Sequence, residues 1–345
     1  MSGLSAVVCL GELLFDFVAL EDSLRLEQAT TFHRAPGGAP ANVAVALTRL
    51  GTRASFVGKI GGDAFGRSLR QTLAVEGVDL RGLVEDSAAR TPLAFVGSDG
   101  LGGRSFVFYH DGMADTLLRP DEVNRDLIAG ARVFHFGSVT LAAEPSASAT
   151  LAAARWARDS ARGSGCLVSF DPNVRLELWD SPRRALDCIV NALHMVDVVK
   201  VSSDELEFLT GTSDPVQACQ RLREHGPALA VVTLGSDGCY FDAATCSGRV
   251  PGVPVTAVDS LGAGDAFVAG LLAGLSARGD TAVCEDPDAL IRTLRFANAV
   301  GALTTTRYGA IPALPTRAEV ERLLAHDAQE RTDTVALDQV GPTQA

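Results

Sequence analysis

From residue 121 onward, short apolar runs alternate with helical runs, and no other feature narrows the fold as much. Residues 121–129 read as helix and 132–136 as strand. An Ala-rich helical run, 145–162, leads into strand 166–171. Helix 182–193, strand 196–201, a short helix 204–209, helix 216–224 and strand 228–234 continue the order. Strands alternating with helices argue for α/β architecture, a mostly parallel sheet covered on both faces. Ligands of such sheets sit beyond the carboxyl ends of the strands. Polar residues follow several of those ends: Asp171-Pro172-Asn173-Val174-Arg175, Ser202-Ser203-Asp204-Glu205, and Thr233-Leu234-Gly235-Ser236-Asp237-Gly238. Their convergence supports a site more than any one motif does.

The earlier part of the chain is less regular. Residues 6–10 read as a buried strand, and 13–20 continue apolar with Asp16 in their middle. A carboxylate there is expensive unless partnered, so Asp16 either holds ligand hydroxyls or faces solvent. Ala35-Pro36-Gly37-Gly38-Ala39-Pro40-Ala41-Asn42 precedes the helical run 43–50. Pro40 suits a first helical turn, which puts Asn42 beside free N–H groups; an ordinary Gly-Pro loop reads the same way. Residues 55–60 read as strand, and Asp63 is the expected cap of helix 64–75. Gly58-Lys59 is not a phosphate-binding P-loop, because Arg53 and Ile60 stand where that motif needs Gly and Ser or Thr. Runs 91–97 and 104–109 form a hairpin signal joined by 98–103. With segment 13–34 the hairpin is expected to make a small separate sheet, a lid able to exclude water.

Residues 253–258 read as a strand running into Asp259-Ser260-Leu261-Gly262-Ala263-Gly264-Asp265-Ala266-Phe267 and an apolar helix. A glycine-rich turn at a helix start is an anion site, since N–H groups are unpaired there and the dipole favours negative charge. Asp265 stands inside it. Asp265 either caps the helix or takes a proton from an incoming hydroxyl while a phosphoryl group occupies the amides. The net charge of −12 argues against a nucleic-acid surface. The seven scattered cysteines form no C-x-x-C pair and suit a reducing compartment. No signal peptide and no membrane span are expected. Helix 292–305 carries Asn298, 317–326 reads as a last helix, and 329–345 as a mobile tail.

These segments, in this order, resemble the PfkB (ribokinase-like) family of carbohydrate kinases, and fructokinases most. Two signatures carry the resemblance: Pro36 to Asn42 with Leu50-Gly51, and Asp259 to Phe267. Gly11-Glu12-Leu13-Leu14-Phe15-Asp16-Phe17, Asp171 to Arg175, and Gly309-Ala310-Ile311-Pro312-Ala313-Leu314-Pro315 add the fructokinase character. The match runs in register over roughly residues 5 to 325. It implies a doubly wound ribokinase-like kinase domain over residues 1–327, with lid segments at about 13–34 and 91–112 and a flexible tail at 328–345. It implies transfer of the ATP γ-phosphate to the 6-hydroxyl of D-fructose with Mg²⁺, a bound monovalent cation such as K⁺ in some members, a homodimer, and a cytoplasmic location. By position, Asp265 is the base, and Gly262, Ala263 and Gly264 form the anion hole. Arg175 is associated with phosphate or substrate. Asp16, Gly37, Gly38, Asn42, Phe106, Phe108 and Asn173 belong to the sugar side. Lys200, Ser202, Thr233, Gly235, Gly238 and Asn298 belong to the nucleotide side. Glu205 organises Mg²⁺ through water, and Asp259 lies in the monovalent-cation loop. Ser202 replaces the usual Asn of an Asn-x-x-Glu motif, and Ser260 the usual Thr. The alternatives are the same chemistry on ribose, 2-keto-3-deoxygluconate or a nucleoside, and a non-catalytic regulator of the same fold. A nicotinamide oxidoreductase would need G-x-G-x-x-G after the first strand, which Gly11-Glu12-Leu13 does not supply.

Overall fold

The computed structural model describes residues 6–21, 25–98, 104–159, 166–278 and 285–338. Strands β1 (Val7–Leu10), β2 (Leu14–Ala19), β3 (Phe32–Gly37), β4 (Ala54–Gly61), β5 (Asp79–Asp86), β6 (Leu93–Ser98) and β7 (Arg104–Tyr109) fill the first third. Strands β8 (Val133–Gly137), β9 (Leu167–Asp171), β10 (Val198–Ser202), β11 (Leu229–Thr233), β12 (Cys239–Ala243) and β13 (Ser247–Val250) follow. The helices are α1 (Ala39–Arg49), α2 (Ala64–Val75), α3 (Arg125–Ala129), α4 (Ser146–Arg158) and α5 (Pro182–Leu193). They continue as α6 (Leu206–Thr210), α7 (Pro215–Glu224), α8 (Ala263–Arg278), α9 (Pro287–Thr304) and α10 (Arg317–Asp338).

The larger sheet has the order β13-β12-β11-β10-β9-β8-β1-β4-β5. It is parallel from β11 to β5, with β12 and β13 antiparallel on one edge. The chain starts at β1, builds outward through β4 and β5, then crosses back to lay β8 on the other side of β1. Crossovers on opposite sides of β1 open a crevice at the carboxyl ends of β1 and β8. Strands covered on both faces must be apolar throughout, hence Val7-Val8-Cys9-Leu10, all fully buried. Each face has its own core. Val43 and Leu47 of α1 join Phe267 and Leu271 of α8 and Leu294 of α9 on one. Ala153 of α4, Ile189 of α5 and Leu222 of α7 cover the other. There Phe134, Phe136 and Phe170 stack at 5.8 and 4.7 Å between ring centroids.

The second sheet, β3-β2-β6-β7, is built by the two excursions expected to form the lid. Parallel pairing of β2 with β6 joins its two antiparallel hairpins. Phe17, Phe32, Phe95 and Tyr109 cluster at 5.1 to 5.6 Å on its outer face. Leu14, Asp16, Phe106 and Phe108 occupy the other face, toward the crevice. The hairpin loop at 99–103 lies outside the described residues.

Three expectations change. Residues 253–258 form no strand; Pro251 and Pro254 have no N–H to give a ladder. Strands β5, β12 and β13 were not anticipated; β5 and β13 lie at the sheet's edges, where solvent-facing positions break the apolar run, and β12, buried throughout between β11 and β13, is a short run interrupted by Asp242. The last helix continues to Asp338, so the backbone is helical past the point where the tail was expected to begin; residues 339–345 lie outside the described residues.

Asp63 ties the lid to the main sheet. One carboxylate oxygen accepts from Gly66 N–H at 2.8 Å, as an N-cap, and from the Thr91 hydroxyl at 2.8 Å. The other accepts from Thr91 N–H at 2.9 Å, at the entry to β6. Asp63→Ala is expected to cost about 2 kcal/mol in urea unfolding at pH 7. These bonds hold the carboxyl below its ordinary value against the cost of burial. The stabilisation is therefore present above the unfolded value of about 3.9 and is lost as pH falls below it. Equal midpoints for variant and parent at pH 7 would refute this tie.

Candidate active site

A cleft of ≈ 670 Å³ lies under the lid sheet, at the carboxyl ends of β1, β9 and β10. Two helix N-termini meet in it. The first is that of α1. Its N-cap, Gly38, has φ 109° and no side chain to cap with. A Cβ there would lie 2.3 Å from the Glu12 carbonyl oxygen, so only Gly fits. Capping falls to Glu12 instead, whose Oε1 accepts from Ala39 N–H at 2.7 Å. Asp16 reaches the same corner, close enough that a Cβ on Gly37 would lie 2.0 Å from its Oδ2.

The second is the N-terminus of α8. Gly262, at φ 77°, turns the chain into it, and a Cβ there would strike Ala310 at 2.9 Å. Ala263 begins the helix and Asp265 lies in its first turn. Asn42 Nδ2 donates to Asp265 Oδ2 at 2.8 Å, joining the two helix starts. Enclosure pushes the Asp265 carboxyl up to about 6. The Asn42 bond opposes the rise, neighbouring Asp171 adds to it, and Lys200 and Arg175 counter it.

Below this corner Lys200 Nζ donates to Asp171 Oδ2 at 3.0 Å, a buried ion pair. A Cβ on Gly264 would lie 3.1 Å from Nζ, which places the ammonium against the first turn of α8. Burial works against the charge on Lys200, but Asp171, Glu205 and Asp265 outweigh it and raise its pKa. Asn173 turns the chain at φ 43°, a conformation Asn tolerates, with its N–H on Asp171 Oδ1. Arg175 follows. Its guanidinium lies 5.2 Å from the Phe106 ring, which stacks on Phe108 at 5.9 Å.

Glu205 and Ser202 form a reciprocal cap. Glu205 Oε2 accepts from the Ser202 N–H and hydroxyl at 2.7 and 2.8 Å, and Oε1 from Val174 N–H at 2.7 Å. The Ser that replaces Asn therefore spends its hydroxyl on Glu205. Among the described residues no three His, Cys, Asp or Glu side chains form a metal cage. Glu205, with both oxygens already accepting, suits a hydrated cation carried mainly by phosphates, which is how Mg²⁺ is usually held.

The structure brings Asp16, Gly38, Asn42, Phe106, Phe108, Asn173, Arg175, Lys200, Ser202, Glu205, Gly262, Gly264 and Asp265 into the wall of one cleft. Thr233, Gly235, Gly238, Asn298 and Asp259 lie outside that wall, as do Gly37 and Ala263, each next to a lining glycine. Thr233 is the register partner of Ser202 on the next strand, so it continues the same rim. Gly235 faces open space. Gly238 is crowded by Val250 and Gly252, and Asn298 Nδ2 donates to the carbonyls of Val250 and Pro251. Asp259 accepts from Leu261 N–H at 3.0 Å and from Gly309 N–H at 2.9 Å, which folds the loop before α8.

Sequence reasoning missed Glu12 and His110, which line the cleft, and Asp171 and Asp115, which hold lining residues. Burial pushes Glu12 up to about 7, with smaller contributions from Asp115 and Asp265. His110 Nε2 lies 2.6 Å from Asp115 Oδ2. Burial opposes the charge on His110, but Asp115 and then Glu12 raise its pKa. A carboxylate set between two apolar strands was the available signal for Glu12, the same one that picked out Asp16.

The chain matches the family described as pfkB family carbohydrate kinase over residues 4–317. It is 48% identical over 322 residues to the probable fructokinase-4 of Arabidopsis thaliana, covering 93% of this chain and 97% of that one. The fructokinase of Xylella fastidiosa with bound ATP superposes with TM-score 0.85 at 38% identity, covering 94% of this chain and 100% of that one. The fructokinase of Vibrio cholerae O395, in its fructose, ADP and calcium ion bound form, gives 0.82 at 37%, covering 93% and 99%. With a nine-stranded, mostly parallel sheet, a four-stranded lid and two helix starts meeting at one carboxylate, the chain belongs to the pfkB family of carbohydrate kinases.

Proposed function

We propose that this carbohydrate kinase is an ATP-dependent fructokinase that makes fructose 6-phosphate from D-fructose. The observation that carries the reading is the Asp265 carboxylate, fixed by Asn42 in the first turn of α8 and open to a cleft with sugar-sized walls. Asp265 accepts the proton of the 6-hydroxyl as that oxygen attacks the γ-phosphorus, and the bond to the ADP oxygen breaks. The N–H groups of Gly262 and Gly264 face the charge that develops on the transferred phosphoryl oxygens, and that of Ala263, which donates to the Ser260 carbonyl at 3.2 Å here, joins them if that turn opens. Arg175 adds a cation that also rests on the lid through Phe106. Asp16, Gly38, Asn42 and Asn173 hold the sugar, with Phe106 and Phe108 as the roof that excludes water. Thr233, Gly235, Gly238 and Asn298 form the nucleotide rim beyond Ser202. Mg²⁺ bound with ATP would neutralise phosphate charge, and Glu205 would hold it through water. A monovalent cation at the Asp259 loop belongs to the same reading.

Names borne by relatives and ligands in solved neighbours support fructose and ATP as substrates. Coupled ADP release with Mg-ATP tests the reading against fructose, ribose, glucose, adenosine and 2-keto-3-deoxygluconate, with and without K⁺. Turnover strongest on fructose is expected; stronger turnover on another sugar overturns the substrate, and silence on all overturns the enzyme.

The Asp265 value sets a pH dependence. As a base it works ionised, and at about 6 it is about nine-tenths ionised at pH 7 and about one-tenth at pH 5. The kcat/KM for fructose is expected to fall about tenfold per pH unit below 6, with a half-point near 6. A flat profile from pH 7 to 5 would remove Asp265 from the role.

A homodimer through the lid is part of the proposal. Val107 and Tyr109 project outward from edge strand β7 at 47% and 58% exposure, and such an edge invites pairing. Light scattering that returns a monomer would refute it. The described cysteines are free thiols, which fits the cytoplasm; Cys284 lies outside the described residues. No helix among the described residues is long and apolar enough to cross a membrane.

A further inference from the structure

Two buried acceptors on the α1 side of the cleft have no donor among the described residues: Glu12 Oε2 and Asn42 Oδ1. Buried polar atoms are almost always paired, and one left bare is costly. Asn42 belongs to the sugar side already. Glu12 does not, and its geometry goes beyond capping. A cap needs one oxygen, and Oε1 serves it on Ala39 N–H. The second oxygen belongs to a side chain only 4% exposed, in the cleft wall, on a residue that directly follows the β1 turn. His110 is close enough for its charge to be felt but makes no hydrogen bond to Oε2, while Asp115 and Asp265 add negative charge around it. A ligand with hydroxyl donors on that flank satisfies both bare acceptors at once; a polyol is such a ligand.

From this geometry we infer that Glu12 contacts the sugar, accepting on Oε2 a hydrogen bond from a hydroxyl other than the one phosphorylated. The inference rests on the fructokinase reading. It makes Glu12 bifunctional: Oε1 holds the start of α1, and hence Asn42, while Oε2 reads the substrate. A sugar lacking the matching hydroxyl leaves a buried carboxylate oxygen bare, so the contact selects as well as binds. His110, held by Asp115 and close enough for its charge to be felt, balances Glu12.

The test uses the full chain. Parent activity on D-fructose is measured first, then on its 1-deoxy, 3-deoxy and 4-deoxy analogues. Glu12→Gln is compared; it keeps an acceptor for Ala39 but loses the charged one for the sugar. The expected result is a KM for fructose raised about 10- to 100-fold, with the KM for Mg-ATP unchanged and kcat little altered. One deoxy analogue that the parent rejects should be penalised far less by the variant. A folded Glu12→Gln with the parent's KM for fructose overturns the inference. So do equal penalties on parent and variant for every analogue. If Glu12→Gln does not fold, Glu12→Asp decides by the same KM reading, since the shorter arm cannot span both partners. If neither folds, a parent indifferent to the loss of each hydroxyl overturns it, and rejection of one analogue supports it. Parent inactivity on fructose sinks the proposed function instead, and the two failures are told apart by that first assay.

Discussion

Asp265→Asn is expected to lower kcat by about 100-fold or more while the KM values for fructose and Mg-ATP move far less. Asn matches Asp in size and still meets Asn42 and the first turn of α8. It cannot take a proton. The loss therefore falls on the transition state, where the hydroxyl must give up its proton, and spares ground-state binding, which needs only shape and hydrogen bonds. Stability separates this from misfolding. The folded carboxyl is raised to about 6, so its ionised form is disfavoured by the fold, and that cost is fully present above pH 6. A neutral Asn removes it. At pH 8, Asp265→Asn should then be more stable than the parent by roughly 1–2 kcal/mol in urea unfolding. An Asn variant with near-normal kcat would transfer the role of base elsewhere. A variant with low kcat and low stability would leave only a structural role.

Local chemistry decided what could be read in advance. Helix α2 starts where Asp63 says, because the cap answers to N–H groups within the same turn, and α5 occupies the expected residues 182–193. Parallel strands buried on both faces declared themselves as apolar runs. The edge strand β13 did not: Ser247-Gly248-Arg249-Val250 buries only Val250, and half of an edge strand's surroundings are water. Residues 253–258 looked apolar enough for a strand, but hydropathy does not count missing N–H donors. The cleft divides the same way. Asp265 and Asn42 could be found because glycines and a helix start announce an anion site around each. Their 2.8 Å contact could not, since 223 residues separate them. Lys200 and Asp171 sit on neighbouring strands at the end of plain apolar runs, and only the sheet order brings them together. Glu12 carried a readable signal, a carboxylate enclosed by Leu10 and Leu13, yet its partner Ala39 belongs to another element.

The Lys200–Asp171 pair yields the second large effect, and stability and catalysis should part company there. Both side chains are nearly closed to solvent, at 7% and 6% exposure. Lys200→Met leaves the Asp171 carboxylate buried without its cation, which typically costs about 3–5 kcal/mol. The same change removes a positive charge from the first turn of α8, where a transferred phosphoryl group would be cradled, and kcat should fall about 100-fold. It also removes one of the groups that hold the Asp265 carboxyl down, so the acid limb of kcat/KM should move to higher pH. Adding Asp171→Leu removes the stranded carboxylate. Replacing a whole buried pair with apolar groups is often neutral, so the double variant should regain most of the lost stability. Its acid limb should return toward 6, because Asp171 is itself a charge that raises Asp265. Its kcat should stay low, since the cation at α8 is still missing. Urea unfolding and a pH profile on the two variants read these consequences separately. A Lys200→Met protein as stable as the parent would mean that Asp171 takes up a proton or water at no cost. A double variant with restored kcat would mean that the ammonium only kept Asp171 quiet and never acted on the phosphoryl group.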